Sequence, residues 1–442
     1  MDLNRLAGAI GAADAPALEI LDLAYDPRLA VPGSLFFCIP GSTADGHELA
    51  GEAVAAGAVA LVVERPLDLD VPQLLVPSVR AAMGPAAASF FGDPSRELEI
   101  AAVTGTNGKT TTAFLLRAIL DAAGRRPALL TNITRVVGGV ERETGLNTPE
   151  SIDLQRLLRE MVEAGDRSLA MEATSIASSM RRLAGTRFAV LVFTNLTQDH
   201  LDFHGTMEEY YGAKRALFAE ADQAVVNVAD QWGAQLASEL PGVRTFTPDD
   251  EIPFRLKLRG RFNRANAAGA IAAARALEID EDAIARGIES LAGVPGRFES
   301  VEAGQPFAVI VDYAHTPDSL ANVLQAAREL GDGRLTVVFG AGGDRDREKR
   351  PLMGRAAAVN SDRAIVTTDN PRSEDPAAIA AQVADGGLEV ILDRRSAIER
   401  AIADANEGDV VVIAGKGADT EMEIAGGNVP FDDRAVAREA LS

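Results

Sequence analysis

A chain of 442 residues with 47% hydrophobic and 24% charged residues is too long for one ordinary core and too apolar to stay unfolded, which predicts two to four soluble globular domains. The formal charge of −22 tells against a nucleic-acid backbone or an anionic membrane surface as partner, since both would be repelled in aggregate. A single cysteine, Cys38, leaves no intramolecular disulfide to form; with no signal-peptide pattern in residues 1–30 and no run able to span a bilayer, the expected compartment is the cytoplasm.

Residues 1–93 alternate short apolar runs at 17–21, 34–39, 58–63 and 73–76 with helical patterns at 46–56 and 79–91. That spacing predicts a small α/β domain closed by the polar turn at 92–96. Cys38, inside Leu35-Phe-Phe-Cys-Ile39, reads as a small core residue rather than a nucleophile. From 94 to 295, strand-like runs at 100–103, 127–130, 168–171, 188–193 and 224–228 recur between helices. The alternation implies a mostly parallel sheet with helices on both faces and ligands at the carboxyl ends of its strands. Residues 296–442 repeat the pattern, with runs at 307–311, 335–339, 363–366, 390–392 and 409–413, so a third, Rossmann-like α/β domain is expected. The Ala-rich helical stretches 265–276 and 377–383 share no fixed period and are composition, not repeat.

The stretch Thr104-Gly-Thr-Asn-Gly-Lys-Thr-Thr-Thr112 lies between the apolar run 100–103 and a helix-period segment at 113–120. Strand, glycine-rich turn and helix form the layout of a phosphate-binding loop. Gly105 and Gly108 let the backbone wrap an anion with its N–H groups, Lys109 neutralises phosphate oxygens, and the Thr110 hydroxyl can face Mg²⁺. Val103 stands where the commonest form of this motif has its first glycine.

Four histidines fall in three polar motifs, at His47, at His200 with His204, and at His315. Glu172 ends one predicted strand and His200 follows another, which puts both at the sheet's binding edge. A carboxylate and an imidazole beside a triphosphate suit Mg²⁺, which takes one or two protein ligands plus phosphate oxygens and water; a helix-capping Glu172 is the plainer alternative. Lys214, on the helix predicted at 207–218, reads alone as an ordinary surface lysine. The loops 340–347 and 367–375 follow strands and carry arginines able to clamp carboxylates, or simply solvated charge.

Taken together, these motifs resemble the Mur ligases over residues 26–434, and within them the MurE type, which adds the third residue of the peptidoglycan stem peptide to UDP-N-acetylmuramoyl-L-alanyl-D-glutamate. The resemblance implies a UDP-substrate domain (1–93), an ATP domain (94–295) and an amino-acid domain (296–442). Gly105, Thr106, Asn107, Gly108, Lys109, Thr110 and Thr111 are similar to the family's ATP loop. Asn266 in Gly260-Arg-Phe-Asn-Arg-Ala-Asn266, Arg297 in Gly296-Arg-Phe-Glu299 and Asp312 in Asp312-Tyr-Ala-His-Thr-Pro317 resemble the positions that hold adenosine and phosphates. Two Mg²⁺ sites are implied, with Thr110, Glu172 and His200 as ligands and Lys214 acting as a carbamate. Arg28, Asn147, Thr148, Thr174 and Arg182 match positions that bind the UDP-muramoyl peptide. Asp369-Asn370-Pro-Arg372, with Arg345, Gly415 and Asp419, resembles the version associated with meso-diaminopimelate rather than L-lysine.

The activity implied is carboxylate activation by ATP through an acyl phosphate, followed by attack of an amine, in a monomer acting on small molecules. Several positions depart from the family's pattern: Pro27 for a serine, Ile176 for a histidine, Asn147 for a threonine, Met180 for a polar residue, and Gly415-Lys-Gly-Ala-Asp419 for a run ending in His-Glu. A related ligase with a different substrate therefore stands as an alternative, as does a non-catalytic nucleotide-binding protein of the same fold.

Overall fold

The computed structural model describes residues 1–13, 15–41, 44–143, 145–385 and 387–442. The chain divides into two compact units: residues Met1–Ala102, Arg125–Leu191 and Ala213–Gln223 form one, and Val103–Gly124, Val192–Gly212 and Ala224–Ser442 the other.

In the first unit the strands Asp22–Ala24, Ser34–Phe37, Ala58–Val63 and Gln73–Leu75 pair in chain order, all parallel. Alternate residues serve opposite faces. Leu35, Phe37 and Val62 pack with Leu3 and Leu6 of the helix Leu3–Ala9 and with Val79 and Met83 of the helix Val79–Phe90. Phe36, Cys38, Leu61 and Val63 pack with Ala50 and Ala53 of the helix Ala50–Ala55. Cys38 is thus a core residue, and burial pushes its thiol up to about 12. The run 17–21 is not a strand. Its backbone meets the first residues of the chain, Leu3 N–H to Leu18 O and Ile20 N–H to Met1 O, and Leu21 is 62% exposed, so the run has no consistent buried face.

The same unit holds Pro127–Leu130 parallel to Ser168–Glu172, extended by the antiparallel hairpin Arg135–Val137/Val140–Arg142. Gly138 and Gly139, both at positive φ, form its two-residue turn. These strands belong to an eight-stranded sheet.

In the second unit the helix Lys109–Ala122 packs on the helices Arg261–Ala276 and Glu281–Ser290. Ala224–Asn227 and Arg244–Phe246 pair in parallel. The C-terminal sheet runs Glu299–Ser300, Ala308–Asp312, Val410–Ala414, Leu335–Phe339, Arg363–Val366, Glu389–Val390, with only the first strand antiparallel. Val410 and Val412 face the helices Pro317–Arg328, Lys349–Asn360 and Pro376–Ala384, while Val411 and Ile413 face Arg394–Ala403 and Asp433–Ala440. Near-continuous apolar strands covered on both faces are the mark of a parallel sheet. The α/β architecture anticipated from the alternation of runs is present in N-terminal, middle and C-terminal regions.

Candidate active site

The glycine-rich stretch forms a tight turn from the strand Glu99–Thr104 into the helix Lys109–Ala122. Gly105 and Gly108 lie at φ +145° and +89°, and a Cβ on them would overlap Thr194 Oγ1 and Asn266 Oδ1 respectively. The loop is moulded from outside. Asn195 Oδ1 accepts from Asn107 N–H (2.9 Å), Asn195 O accepts from Thr106 N–H (2.9 Å), and Thr194 Oγ1 donates to Asn107 O (2.6 Å). Gly108, at the helix N-terminus, has no side chain to cap it, and the first-turn amides of any helix lack an intrahelical acceptor. Lys109 Nζ folds back to donate to Gly105 O (3.1 Å) and Thr106 O (2.7 Å), which keeps its charge at the mouth of the loop. This is a cradle fitted to phosphate.

Three residues from distant parts of the chain meet that cradle or its neighbours. Asn266 lies against Gly108, and its Nδ2 donates to Asn263 Oδ1 (3.1 Å). Arg297 Nη2 donates to Thr110 Oγ1 (3.0 Å), and its guanidinium lies 4.2 Å from the centre of the Tyr313 ring. Asp312, buried, accepts Phe298 N–H (2.6 Å) and Ala314 N–H (2.7 Å); burial raises its carboxyl above the ordinary range, with Arg297 opposing. An open groove of about 750 Å³ runs beside Asn263, Arg297 and Phe298, a size within the range of small-molecule sites.

His200, in the left-handed region at φ +55°, places Nε2 3.3 Å from Asp199 Oδ2. Asp199 also faces Lys349 Nζ (3.3 Å) and His315 Nε2 (3.6 Å). Burial alone would raise its carboxyl, yet His315, Lys349 and His200 together hold it well below the usual range. Lys349 joins this cluster with no motif of its own to mark it. The one local signal was Asp199 beside His200 in a polar run after a strand.

In the other unit Glu172 ends its strand nearly fully buried, accepting Asn132 N–H (3.2 Å) at Oε1, while its carbonyl accepts from Thr148 Oγ1 (3.3 Å). Arg182 Nε donates to Glu150 Oε1 (2.9 Å) and Nη1 to Thr148 O (3.4 Å). Thr174 caps the helix Ser175–Ser179 through Ala177 N–H (3.3 Å). Asn147 is half-buried, whereas Arg28 is exposed and paired with Asp26. Lys214 is 1% exposed, which corrects its reading as a surface lysine.

At the carboxyl ends of the C-terminal strands, Asp369 Oδ1 accepts Asn370 N–H (2.7 Å), while its buried Oδ2 has no hydrogen-bond partner among the described residues. Gly415, at φ +119°, has no room for a Cβ beside that oxygen. Asp419 is pushed up to about 6 by burial, with Asp369 adding and Lys416 and Arg297 opposing. Arg372 Nε donates to Glu423 Oε2 (2.6 Å), and Arg345 is exposed, its Nη1 donating to Asp344 O (2.9 Å).

Three family models match the chain: the Mur ligase family catalytic domain over residues 23–91, the Mur ligase middle domain over 103–245, and the Mur ligase glutamate ligase domain over 296–417. A UDP-N-acetylmuramoyl-L-alanyl-D-glutamate–2,6-diaminopimelate ligase of Syntrophomonas wolfei is 43% identical over 96% of this chain and 95% of its own. The ligase of the same description from Geobacillus thermodenitrificans is also 43% identical, with the same coverage. A solved structure of such a ligase superposes with a TM-score of 0.67 at 31% identity, covering 96% of this chain and 94% of that one. Similarity of this extent, spanning the loop, the arginine at 297 and the C-terminal strand ends, makes the chain a member of the Mur ligase family.

Proposed function

We propose that the protein is an ATP-dependent, ADP-forming ligase that adds meso-diaminopimelate to the D-glutamyl carboxylate of UDP-N-acetylmuramoyl-L-alanyl-D-glutamate in peptidoglycan precursor synthesis. What carries this reading is whole-length likeness to ligases of that description, together with a phosphate cradle flanked by Asn266 and Arg297. Residues 1–93, 94–295 and 296–442 are assigned to the UDP substrate, ATP and amino acid respectively.

In this mechanism a substrate carboxylate oxygen bonds to the γ-phosphorus of ATP, and ADP departs with the electrons of the broken bond. Lys109, the amides of the helix N-terminus and Arg297 stabilise the charge that develops. The amine of the incoming amino acid then bonds to the acyl carbon, phosphate leaves, and the nitrogen gives up its proton. Mg²⁺, when bound, adds Lewis-acid stabilisation of phosphate oxygens. Hard oxygen and imidazole donors at Thr110, Glu172 and His200 suit it, and a carbamate on Lys214, a buried lysine, would supply a further anionic oxygen pair.

We assign Arg28, Asn147, Thr148, Thr174 and Arg182 to the UDP-muramoyl peptide. Arg372, with Arg345, takes the distal carboxylate of the amino acid. Asp419 and the unpartnered oxygen of Asp369 take an ammonium near Asn370 and Gly415. The working form is a monomer in the cytoplasm, and among the described residues no helix is long and apolar enough to cross a membrane.

Phosphate release with the UDP-muramoyl dipeptide and an amino-acid panel tests the assignment. Turnover is expected with meso-diaminopimelate and lower by on the order of 10³-fold in kcat/KM with L-lysine, which leaves the arginines without a carboxylate. Turnover with L-lysine alone overturns the amino-acid assignment; ATP binding without binding of the uridine nucleotide overturns the acid substrate and favours the related-ligase reading suggested by Pro27 and Ile176.

The pH profile carries a second expectation. Asp419 must be ionised to hold an ammonium, and its carboxyl titrates at about 6. KM for the amino acid should therefore rise about tenfold per pH unit below 6, with KM for ATP flat. Asp419→Asn should show the raised KM at every pH.

A further inference from the structure

We propose that Glu423 is a positioning residue for the incoming amino acid, fixing the Arg372 guanidinium so that its remaining edge meets the ligand's distal carboxylate. The proposal rests on the reading that Arg372 grips that carboxylate.

Arg372 lies at φ +53°, in the left-handed region that a long L side chain adopts only when its surroundings impose it. Glu423 does so with both its main chain and its side chain. Arg372 N–H donates to Glu423 O (3.1 Å), Arg372 bridges to Ile424 in parallel register, and Arg372 Nε donates to Glu423 Oε2 (2.6 Å). Nη1 is taken up by Gly343 O (2.8 Å). Among the described residues Nη2 has no hydrogen-bond partner. A planar guanidinium anchored at Nε and Nη1 cannot turn, so the direction of Nη2 is set before a ligand arrives.

A second arginine stands beside this one. A Cβ on Gly342 would lie 3.0 Å from Arg372 Nη1 and 3.8 Å from Arg345 Cγ, so two arginine side chains flank one glycine. Glu423 is itself held from the core: its N–H donates to Asn370 Oδ1 (3.0 Å), and that oxygen also accepts from the fully buried Lys416 Nζ (3.1 Å). The series Lys416, Asn370, Glu423, Arg372 thus ties the hairpin Glu421–Ile424/Gly427–Pro430 to the strand ends that carry Asp369 and Gly415.

The test is steady-state kinetics of Arg372→Ala, Glu423→Ala and Glu423→Gln, with a thermal melt of each. Glu423→Ala should raise KM for the amino acid about tenfold, the scale of one charge-assisted hydrogen bond, and move kcat and KM for ATP by less than about twofold. Glu423→Gln, whose amide oxygen still accepts from Nε, should recover most of the loss. Glu423→Asp, one methylene short, should match the alanine variant, which keeps the test open should that variant melt early. Adding Glu423→Ala to Arg372→Ala should cost nothing further. An unchanged KM in the Glu423 variants, with a raised KM in Arg372→Ala, overturns the proposal; an unchanged KM in Arg372→Ala overturns the reading beneath it.

Discussion

Lys109→Ala is expected to abolish ATP-dependent ligation, lowering kcat by on the order of 10³ or more while the fold persists. The ammonium is held within the loop by two carbonyls, Gly105 O (3.1 Å) and Thr106 O (2.7 Å). Arg297 sits at Thr110, one residue further along, and stabilises a different part of the same cradle. Loss of Lys109 should thus remove transition-state charge stabilisation that Arg297 cannot replace. The packing of the helix Lys109–Ala122 rests on buried residues such as Leu115, Leu116, Ile119 and Leu120, so the melting temperature should move by only a few degrees. Single-turnover ADP release and a thermal melt make the comparison. Full ADP-forming activity in this variant would overturn the role given to Lys109, and unaltered biological activity without catalysis would favour a nucleotide-binding protein of the same fold.

Arg394→Ala should produce the largest loss of stability, about 3–5 kcal/mol. Arg394 is 2% exposed and Asp433 0%, and they pair bidentately, Nε to Oδ1 at 2.8 Å and Nη2 to Oδ2 at 2.7 Å. The same guanidinium donates to Ala414 O (2.9 Å) and Thr368 O (3.2 Å). Alanine would strand a buried carboxylate and two carbonyls with no water to replace the lost donors. The damage should also reach the proposed amino-acid site, because Ala414 and Thr368 immediately precede Gly415 and Asp369. Urea unfolding should show the loss in midpoint, and Arg394→Met combined with Asp433→Leu should recover part of it by removing both charges together. Equal stability of Arg394→Ala and the unsubstituted protein would mean that the pair is not sealed from solvent.

The same contrast between local and distant partners explains what could be read from the chain alone. Strands at 58–63, 127–130, 335–339 and 363–366 coincide with their apolar runs, because a strand covered on both faces needs continuous hydrophobicity. The strands Val140–Arg142 and Gly427–Pro430 are exposed throughout, so they carry no such signal. Around the candidate site, the strand, glycine-rich turn and helix at 99–122 were legible since the turn's glycines, lysine and threonine are neighbours in sequence. Lys349, Arg394 and Glu423 were not, since each acquires its role from a partner 39 to 150 residues away. Lys214 shows the same limit in another form: amphipathic spacing could not reveal that its amine is buried.

In the proposed amino-acid site, Asp419 would link substrate capture to proton release. A carboxyl held up to about 6 by burial favours its neutral form in the empty fold. Ionising it costs the folded protein stability as pH rises from the ordinary aspartate value of 3.8 through 6, on the order of 3 kcal/mol once fully charged. An ammonium held there as proposed would offset that cost, so near pH 6 the pocket would expel a proton as it took up its amino acid. Occupied, the C-terminal sheet should resist unfolding more than it does empty. The excess should grow with pH across the window in which free Asp419 changes charge.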